Sequence, residues 1–149
     1  MRFLEENEIQ DWCNSHGIAL DLPFTSERRV NFSIKDFSTS AAVIPKECVD
    51  SLGEWSECLL LITEWGIWPS SEDWPAYYAA RGFFNEKRSI DIAPGHLFDS
   101  LDSSILVQFL TLVIQNGWNA YVLPVFDGKP CPVHVYVSHD EFLEFRAFA

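Results

Sequence analysis

The sequence predicts an α+β domain in which helices pack on a mixed or mainly antiparallel sheet of about five strands. Three observations carry this prediction: apolar residues at helical spacing, short segments of alternating apolar and polar residues, and turns rich in Gly and Pro between them. A chain of 149 residues with 48% hydrophobic and 15% aromatic residues has enough apolar side chain for one core. Because no repeat or long linker divides it, residues 1–149 are predicted to form a single domain.

The N-terminal third predicts helices and strands in alternation. Residues 5–16 carry apolar residues at helical spacing, and Gly17 is well placed to end that helix. Residues 18–22 and 29–35 alternate apolar and polar side chains, which predicts two short strands. The stretch 39–53 is less regular, although one of its residues is a proline suited to open a short helix.

The middle of the chain predicts the centre of the sheet and a helix beside it. Residues 59–63 form a continuous apolar run of strand length, which is typical of a central strand covered on both faces. A loop with two tryptophans follows. Ser70 or Ser71 is suited to cap a helix over residues 73–81, which Gly82 would end.

The strongest helix is predicted over residues 97–116, with its largely buried part at about 99–116. Apolar side chains leave it almost no polar face, and a helix that is apolar nearly all round is buried. Asp99 or Asp102 is suited to cap its start. Two residues near its centre are expected to be almost fully buried, Phe109 and Leu110.

The C-terminal part predicts a hairpin followed by a helix. Residues 120–126 and 133–137 are predicted strands, and Asp127-Gly128 supplies the turn between them. Pro124 lacks an amide N–H, so the first of these strands is expected at an edge or with a bulge. The sequence SHDE at residues 138–141 has the spacing of a helix capping box and predicts a final short helix.

Acidic residues dominate the charge. The chain has 22 Asp and Glu against 10 Lys and Arg, giving a net charge of −12. Such a surface repels nucleic acid and anionic lipid, so neither is an expected partner, whereas a basic protein is. Between Glu47 and Asp73 there are seven acids and no Lys or Arg, which predicts a one-sided acidic face.

Targeting and metal-binding signals are weak. The N-terminal residues lack the apolar run of a signal peptide, and the four cysteines show no C-x-x-C spacing, so reduced thiols and a cytoplasmic location are expected. No histidine stands four residues from another histidine or a cysteine, and no metal or cofactor is expected. The oligomeric state is left open.

The familiar catalytic signatures are absent, including the P-loop, G-x-S-x-G, G-x-G-x-x-G and H-E-x-x-H. One candidate catalytic set can still be assembled. His96, in a turn before the long helix, would be a general base, Glu64 its carboxylate partner, and Arg81 the binding group for an anion. The preferred alternative is that His96 bonds the backbone of its own turn and Glu64 pairs with Arg81.

A dense group of aromatic residues overlaps the acidic stretch between Glu47 and Asp73. Aromatic residues are enriched in protein interfaces. A second small core under the loop explains the group equally well. Its members are Trp55, Trp65, Trp68, Trp74, Tyr77 and Tyr78. The interface hypothesis assigns partner binding to Glu54, Glu57, Glu64, Trp65, Trp68, Glu72, Asp73 and Trp74.

Several short sequence segments resemble a known family. They are EWGIWPSSE at residues 64–72, Tyr77-Tyr78 with Arg81, APGHLF at 93–98, GWNAY at 117–121 and SHDE at 138–141. Together, over about residues 58–145, they resemble a family of small bacterial proteins without an assigned activity, and the resemblance implies no catalytic residue. In size and acidity the chain is similar to immunity proteins, which neutralise toxins by binding them.

The leading hypothesis is a non-catalytic, immunity-type protein that neutralises a more basic partner. The alternatives are a small enzyme or ligand-binding domain that uses Glu64, His96 and Arg81, and an acidic protein similar to secretion chaperones. If the leading hypothesis holds, charge speeds the encounter with the partner and buried aromatic residues slow its dissociation.

Overall fold

Residues 1–35 and 43–148 are described by the computed structural model. The strands are β1 (Arg2–Leu4), β2 (Phe24–Asn31), β3 (Glu57–Glu64), β4 (Gly95–Asp99), β5 (Asn119–Phe126), β6 (Lys129–Pro130), β7 (His134–Ser138) and β8 (Phe142–Phe148). They form one open antiparallel sheet in the order β1-β4-β3-β5-β7-β8-β2, with the short β6 paired to β5. The α+β class is confirmed, and the sheet has eight strands where about five were predicted.

Four α-helices within the described residues cover the sheet unequally. They are α1 (Glu6–Ser15), α2 (Val43–Asp50), α3 (Trp74–Phe83) and α4 (Ser103–Asn116). Helices α2, α3 and α4 bury their apolar side chains on one face of the sheet, which we call the helix-covered face. Helix α1 covers part of the opposite face, over β1, β4, β3 and β5. The apolar run of β3 is thus buried on both sides, as predicted, because Leu60 faces α4 and Leu59 faces α1.

Helix α4 is the largely buried helix that the sequence predicts. Phe109 and Leu110 are buried as expected, and Gly117 ends the helix in a left-handed conformation with φ of 69°. The predicted start is wrong, because residues 95–99 form β4 and pair with β3. Asp99 caps a short 3₁₀ turn instead, and Asp102 occupies the N-cap position of α4.

Two predicted elements are not formed, and the bounds of a third are wrong. Residues 18–22 alternate in polarity but form turns and bends, and the strand that follows them is Phe24–Asn31 rather than 29–35. The predicted C-terminal helix is strand β8. Its three phenylalanines fit helical spacing, but its side chains also alternate between the two faces of the sheet. Leu143 and Phe145 lie on the helix-covered face. The SHDE segment makes the turn between β7 and β8, and Glu141 has φ of 66°, outside the helical range.

Two further predictions concern capping and Pro124. Asp73 caps α3, accepting a hydrogen bond from the Ala76 amide, where Ser70 or Ser71 was predicted. Pro124 lies inside the sheet rather than at an edge. Its carbonyl accepts from Cys131, in the irregular connection between β6 and β7, so its missing N–H falls where the strand ladder is already interrupted.

The proline-initiated helix expected within residues 39–53 corresponds to α2, while residues 39–42 lie outside the described residues.

At one end of the sheet, the strand ends bring three connections together. Glu64 at the end of β3 pairs with Asn119 at the start of β5, and β5 pairs with the end of β7. We call this side, with residues 64–72, 117–118 and 139–141, the loop end of the sheet.

Candidate binding surface at the loop end

Two residues of the catalytic hypothesis meet inside the protein. Arg81 on α3 and His96 on β4 both have fully buried side chains. The hydroxyl of Tyr77 lies between them, 2.9 Å from a guanidinium nitrogen of Arg81 and 2.7 Å from His96 Nε2. Tyr77 and Arg81 are one helical turn apart and so project from the same side of α3. We call Tyr77, Arg81 and His96 the buried network.

Hydrogen bonds fix the proton positions in the buried network. His96 Nδ1 lies 3.0 Å from the Pro94 carbonyl and 3.2 Å from the Leu60 carbonyl, so it carries a proton and donates. Nε2 then accepts from the Tyr77 hydroxyl, whose oxygen accepts from Arg81. Burial and the neighbouring Arg81 cation lower the pKa of His96 to about 3, and burial raises the pKa of Tyr77. His96 is therefore a neutral, fully bonded imidazole without access to a substrate.

Glu64 lies apart from the buried network. It is exposed at the end of β3, whereas His96 is opposite Leu60, and the four intervening steps of strand span about 13 Å. Arg81 makes no ion pair within the described residues, so the expected pair with Glu64 is wrong. Its guanidinium donates to backbone carbonyl oxygens of the α3–β4 connection, at Arg88, Ser89 and Ala93. The buried network holds this connection in place, and Glu64, His96 and Arg81 do not form one site.

The aromatic group divides between core and surface. Trp55 and Tyr77 are buried. Trp74 is half-buried, with its ring centroid 4.9 Å from that of Trp118 and 5.7 Å from that of Tyr78. Two of the six residues therefore belong to the main core, Trp65 and Trp74 pack partly buried against it, and Trp68 and Tyr78 are exposed. The separate small core that the sequence left open is not formed by this group.

Trp68 differs from the buried tryptophans because its indole is 47% exposed and yet held in one position. Its Nε1 donates to the carbonyl oxygen of His139 at 3.2 Å. The ring lies against Gly117, where a Cβ atom would be 2.8 Å from Trp68 Cδ1. A glycine at this left-handed position lets the indole approach the backbone. The result is an exposed ring fixed at the loop end.

A pocket of about 420 Å³ opens beside Trp68 and is lined in part by Ser70, His139 and Asp140. The amide oxygen of Asn119 lies 2.9 Å from His139 Nδ1 and 2.7 Å from the His139 amide nitrogen. Because an amide oxygen only accepts, Nδ1 carries a proton in this arrangement. His139 Nε2 lies 3.4 Å from a carboxylate oxygen of Asp140. Polar groups thus surround an exposed apolar ring, as they do at interface hot spots.

The acids of the interface hypothesis do not form one face. Glu57 accepts a hydrogen bond from the Trp12 indole, and Glu72 accepts from the Trp118 indole and the Gly66 amide. Glu57 and Glu64 lie at opposite ends of β3, about 23 Å apart. Glu54 and Glu64 are exposed, and Asp73 is occupied as the cap of α3. The acidic stretch is therefore divided between structural contacts and separate surfaces.

A groove that sequence reasoning missed lies between α1 and the end of β3. Its volume is about 440 Å³, and Glu6, Ile9, Trp65, Asp91 and Pro94 are among its lining residues. Trp65 was predicted to bind a partner, but Glu6, Ile9 and Asp91 were not assigned to any site. They come from α1 and the α3–β4 connection, and only the pairing of β1, β4 and β3 brings these segments together.

Within residues 1–35 and 43–148, no group of three or more His, Cys, Asp or Glu side chains is arranged to hold a metal ion. All four cysteines are free thiols, and burial raises the pKa of Cys48 and Cys58. No helix in the described part of the chain has the length and apolar character needed to cross a membrane.

Comparisons with protein-family models, with curated proteins and with solved structures find no match for this chain.

Proposed function

We propose that this protein is a non-catalytic, immunity-type binding protein that holds a basic protein partner at the loop end. The observation that carries the proposal is Trp68, an indole that is half exposed and fixed by both a hydrogen bond and close packing. A large ring that is already ordered loses little conformational entropy when a partner covers it, which is why tryptophan is frequent among hot-spot residues.

Charge supports a basic partner. The chain carries a net charge of −12, and Glu64 and Asp140 are exposed near the loop end. Opposite charges on the two proteins would speed their encounter and would be screened by salt. The buried, neutral His96 and its separation from Glu64 remove the set of residues on which the enzyme alternative depended.

The test is capture from the source organism's lysate at low salt, followed by identification of the captured protein and binding kinetics. We expect a basic protein whose association rate constant falls as salt rises. Trp68→Ala should accelerate dissociation at least about 30-fold, the equivalent of about 2 kcal/mol.

Phe126→Ala is the matched control. Phe126 is 45% exposed, close to the exposure of Trp68, but lies at the end of β5 remote from the loop end. Its replacement should change dissociation less than about threefold. Capture of acidic proteins only, or equal effects of the two substitutions, would contradict the proposal.

A further inference from the structure

The groove between α1 and β3 combines an apolar floor with acidic sides. Ile9, Leu61, Trp65 and Pro94 supply the apolar surface, and Glu6 and Asp91 supply carboxylates. No Lys or Arg is among the described residues that line it. On α1, Glu6 precedes Ile9 by three residues, which puts the acid and the apolar floor on the same side of the helix.

The sides of the groove are fixed by contacts beneath them. A Cβ atom at Gly95 would lie 2.8 Å from Ile9, so glycine allows α1 to pack directly on β4. On the other side, Arg81 donates to the Ala93 carbonyl and His96 to the Pro94 carbonyl. The buried network thus positions the segment that carries Asp91 and Pro94, and the groove is formed before any ligand enters.

The two carboxylates are available to a ligand. Glu6 and Asp91 are exposed, and neither makes an ion pair within the described residues. Arg88 lies near the start of α1, but its guanidinium is already paired with Glu86 at 2.8 Å and with Glu5 at 3.4 Å. The groove therefore keeps two carboxylates that no cation of the chain neutralises within the described residues.

We infer that this groove binds one long cationic side chain, a Lys or Arg, presented by the basic partner. The identity of that partner rests on the proposed function, whereas the preference for a cationic side chain rests on the groove alone. The aliphatic stem would lie on Ile9, Leu61 and Pro94, while the charged head group would reach Glu6 and Asp91. The indole of Trp65 adds attraction for a cation over its face.

The test uses n-hexylammonium chloride, which has an aliphatic stem and a cationic head, and sodium hexanoate, which has the stem with the opposite charge. Each is titrated into the ¹⁵N-labelled full chain, and the six tryptophan indole N–H signals are followed by NMR, the Trp65 signal being assigned with Trp65→Phe. We expect hexylammonium to shift the Trp65 signal saturably, and hexanoate to shift it at least fivefold less at equal concentration.

A paired substitution tests the acids. Glu6→Gln with Asp91→Asn should weaken hexylammonium binding at least fivefold, whereas Glu27→Gln with Glu47→Gln, which removes the same charge from exposed positions on β2 and α2, should leave it within twofold. Unchanged dispersion of the backbone signals shows that the variants are folded. A silent Trp65 signal, equal shifts with hexanoate, or equal effects of the two pairs would overturn the inference.

The outcome for the groove is separable from that for the proposed function. If a basic protein dissociates faster from Trp68→Ala but hexylammonium does not shift the Trp65 signal, the cation site in the groove is contradicted and the proposed function is supported. A hexylammonium response that depends on Glu6 and Asp91, with no basic protein captured, supports the cation site and removes the proposed partner.

Discussion

The aromatic side chains of the buried network and the Trp68 side chain at the loop end differ in their exposure to solvent. Tyr77 and His96 are fully buried, and the protein itself supplies the hydrogen-bond partners of the Tyr77 hydroxyl and of both His96 ring nitrogens. Trp68 also makes a hydrogen bond, but nearly half of its ring is exposed. Aromatic residues thus stabilise the fold in one region and present a surface in the other.

The largest expected effect is in the core beside the buried network. Phe109 is buried, and its ring contacts Phe3, Tyr77, Phe84, His96 and Phe98. Phe109→Ala should lower the free energy of unfolding by about 3–5 kcal/mol, because it leaves a cavity as well as losing apolar contact. Leu110→Ala should cost about 2–5 kcal/mol for the same reason. Urea melts of both variants measure the loss. A cost below about 1 kcal/mol at both sites would mean that this side of α4 is not core.

The next effect tests Arg81. Arg81→Met keeps most of the aliphatic volume but leaves the carbonyl oxygens of the α3–β4 connection without their donor. We expect a loss of about 3 kcal/mol, since each buried, unpaired acceptor costs about 1–3 kcal/mol and some will find water. Hydrogen exchange should also become faster at the Ile92 and Ala93 amides. An equally stable variant would show that the guanidinium is dispensable and that packing alone holds the connection.

A smaller, pH-dependent effect distinguishes His96. Its pKa is lowered to about 3 in the folded protein, while an unfolded histidine titrates near 6.5. The unfolded state therefore binds the additional proton between these values, so the stability from neutral His96 is complete above about pH 6.5 and falls as the pH falls toward 3. Each pH unit in this window should cost up to about 1.4 kcal/mol.

The control for this effect is His96→Gln, which has no titratable ring. Between pH 6.5 and 5, wild-type stability should fall more steeply than that of the variant, by about one proton's worth of slope. His134, whose pKa is lowered to about 4 by burial and by Arg146, is present in both proteins and contributes equally to both slopes. Equal slopes of stability against pH for the wild type and His96→Gln would show that His96 takes up a proton in the folded state as readily as in the unfolded state.

The smallest effect on stability belongs to the loop end. Trp68→Ala removes a ring that is about half buried, so we expect a loss of about 1–2 kcal/mol, well below that of Phe109→Ala. Urea melts of the two variants in parallel give the comparison. A loss as large as that of Phe109→Ala would place Trp68 among the core residues.

The sequence was informative where periodicity and length agreed. Helix α1 and strands β3 and β5 were predicted close to their observed bounds, because each is strongly patterned. For α4 the predicted end is correct, but the predicted start lies six residues too early. Strand β8 was misread because its phenylalanines, spaced by three, fit a helix as well as a strand. Residues 18–22 alternate without a strand partner, and alternation alone does not form a strand.

The candidate surfaces were only partly predictable. Trp65 and Trp68 were singled out from their position in a loop, but nothing local distinguished the exposed Trp68 from the half-buried Trp74. The position of the Trp68 ring depends on contacts with Gly117 and His139, which are distant in sequence. The groove joins Glu6 to Asp91 through the order of the strands, and that order follows from tertiary pairing rather than from any local pattern.

In the proposed complex, Trp68 contacts the basic partner and the buried aromatic residues do not. The most direct measurement follows the six tryptophan indole N–H signals of the ¹⁵N-labelled protein as the captured partner is added, with each signal assigned by single Trp→Phe variants. We expect the Trp68 signal to shift or broaden strongly, and the signals of Trp55 and Trp118, which are buried, to change little. A bound complex in which the Trp68 signal is unperturbed would contradict the claim.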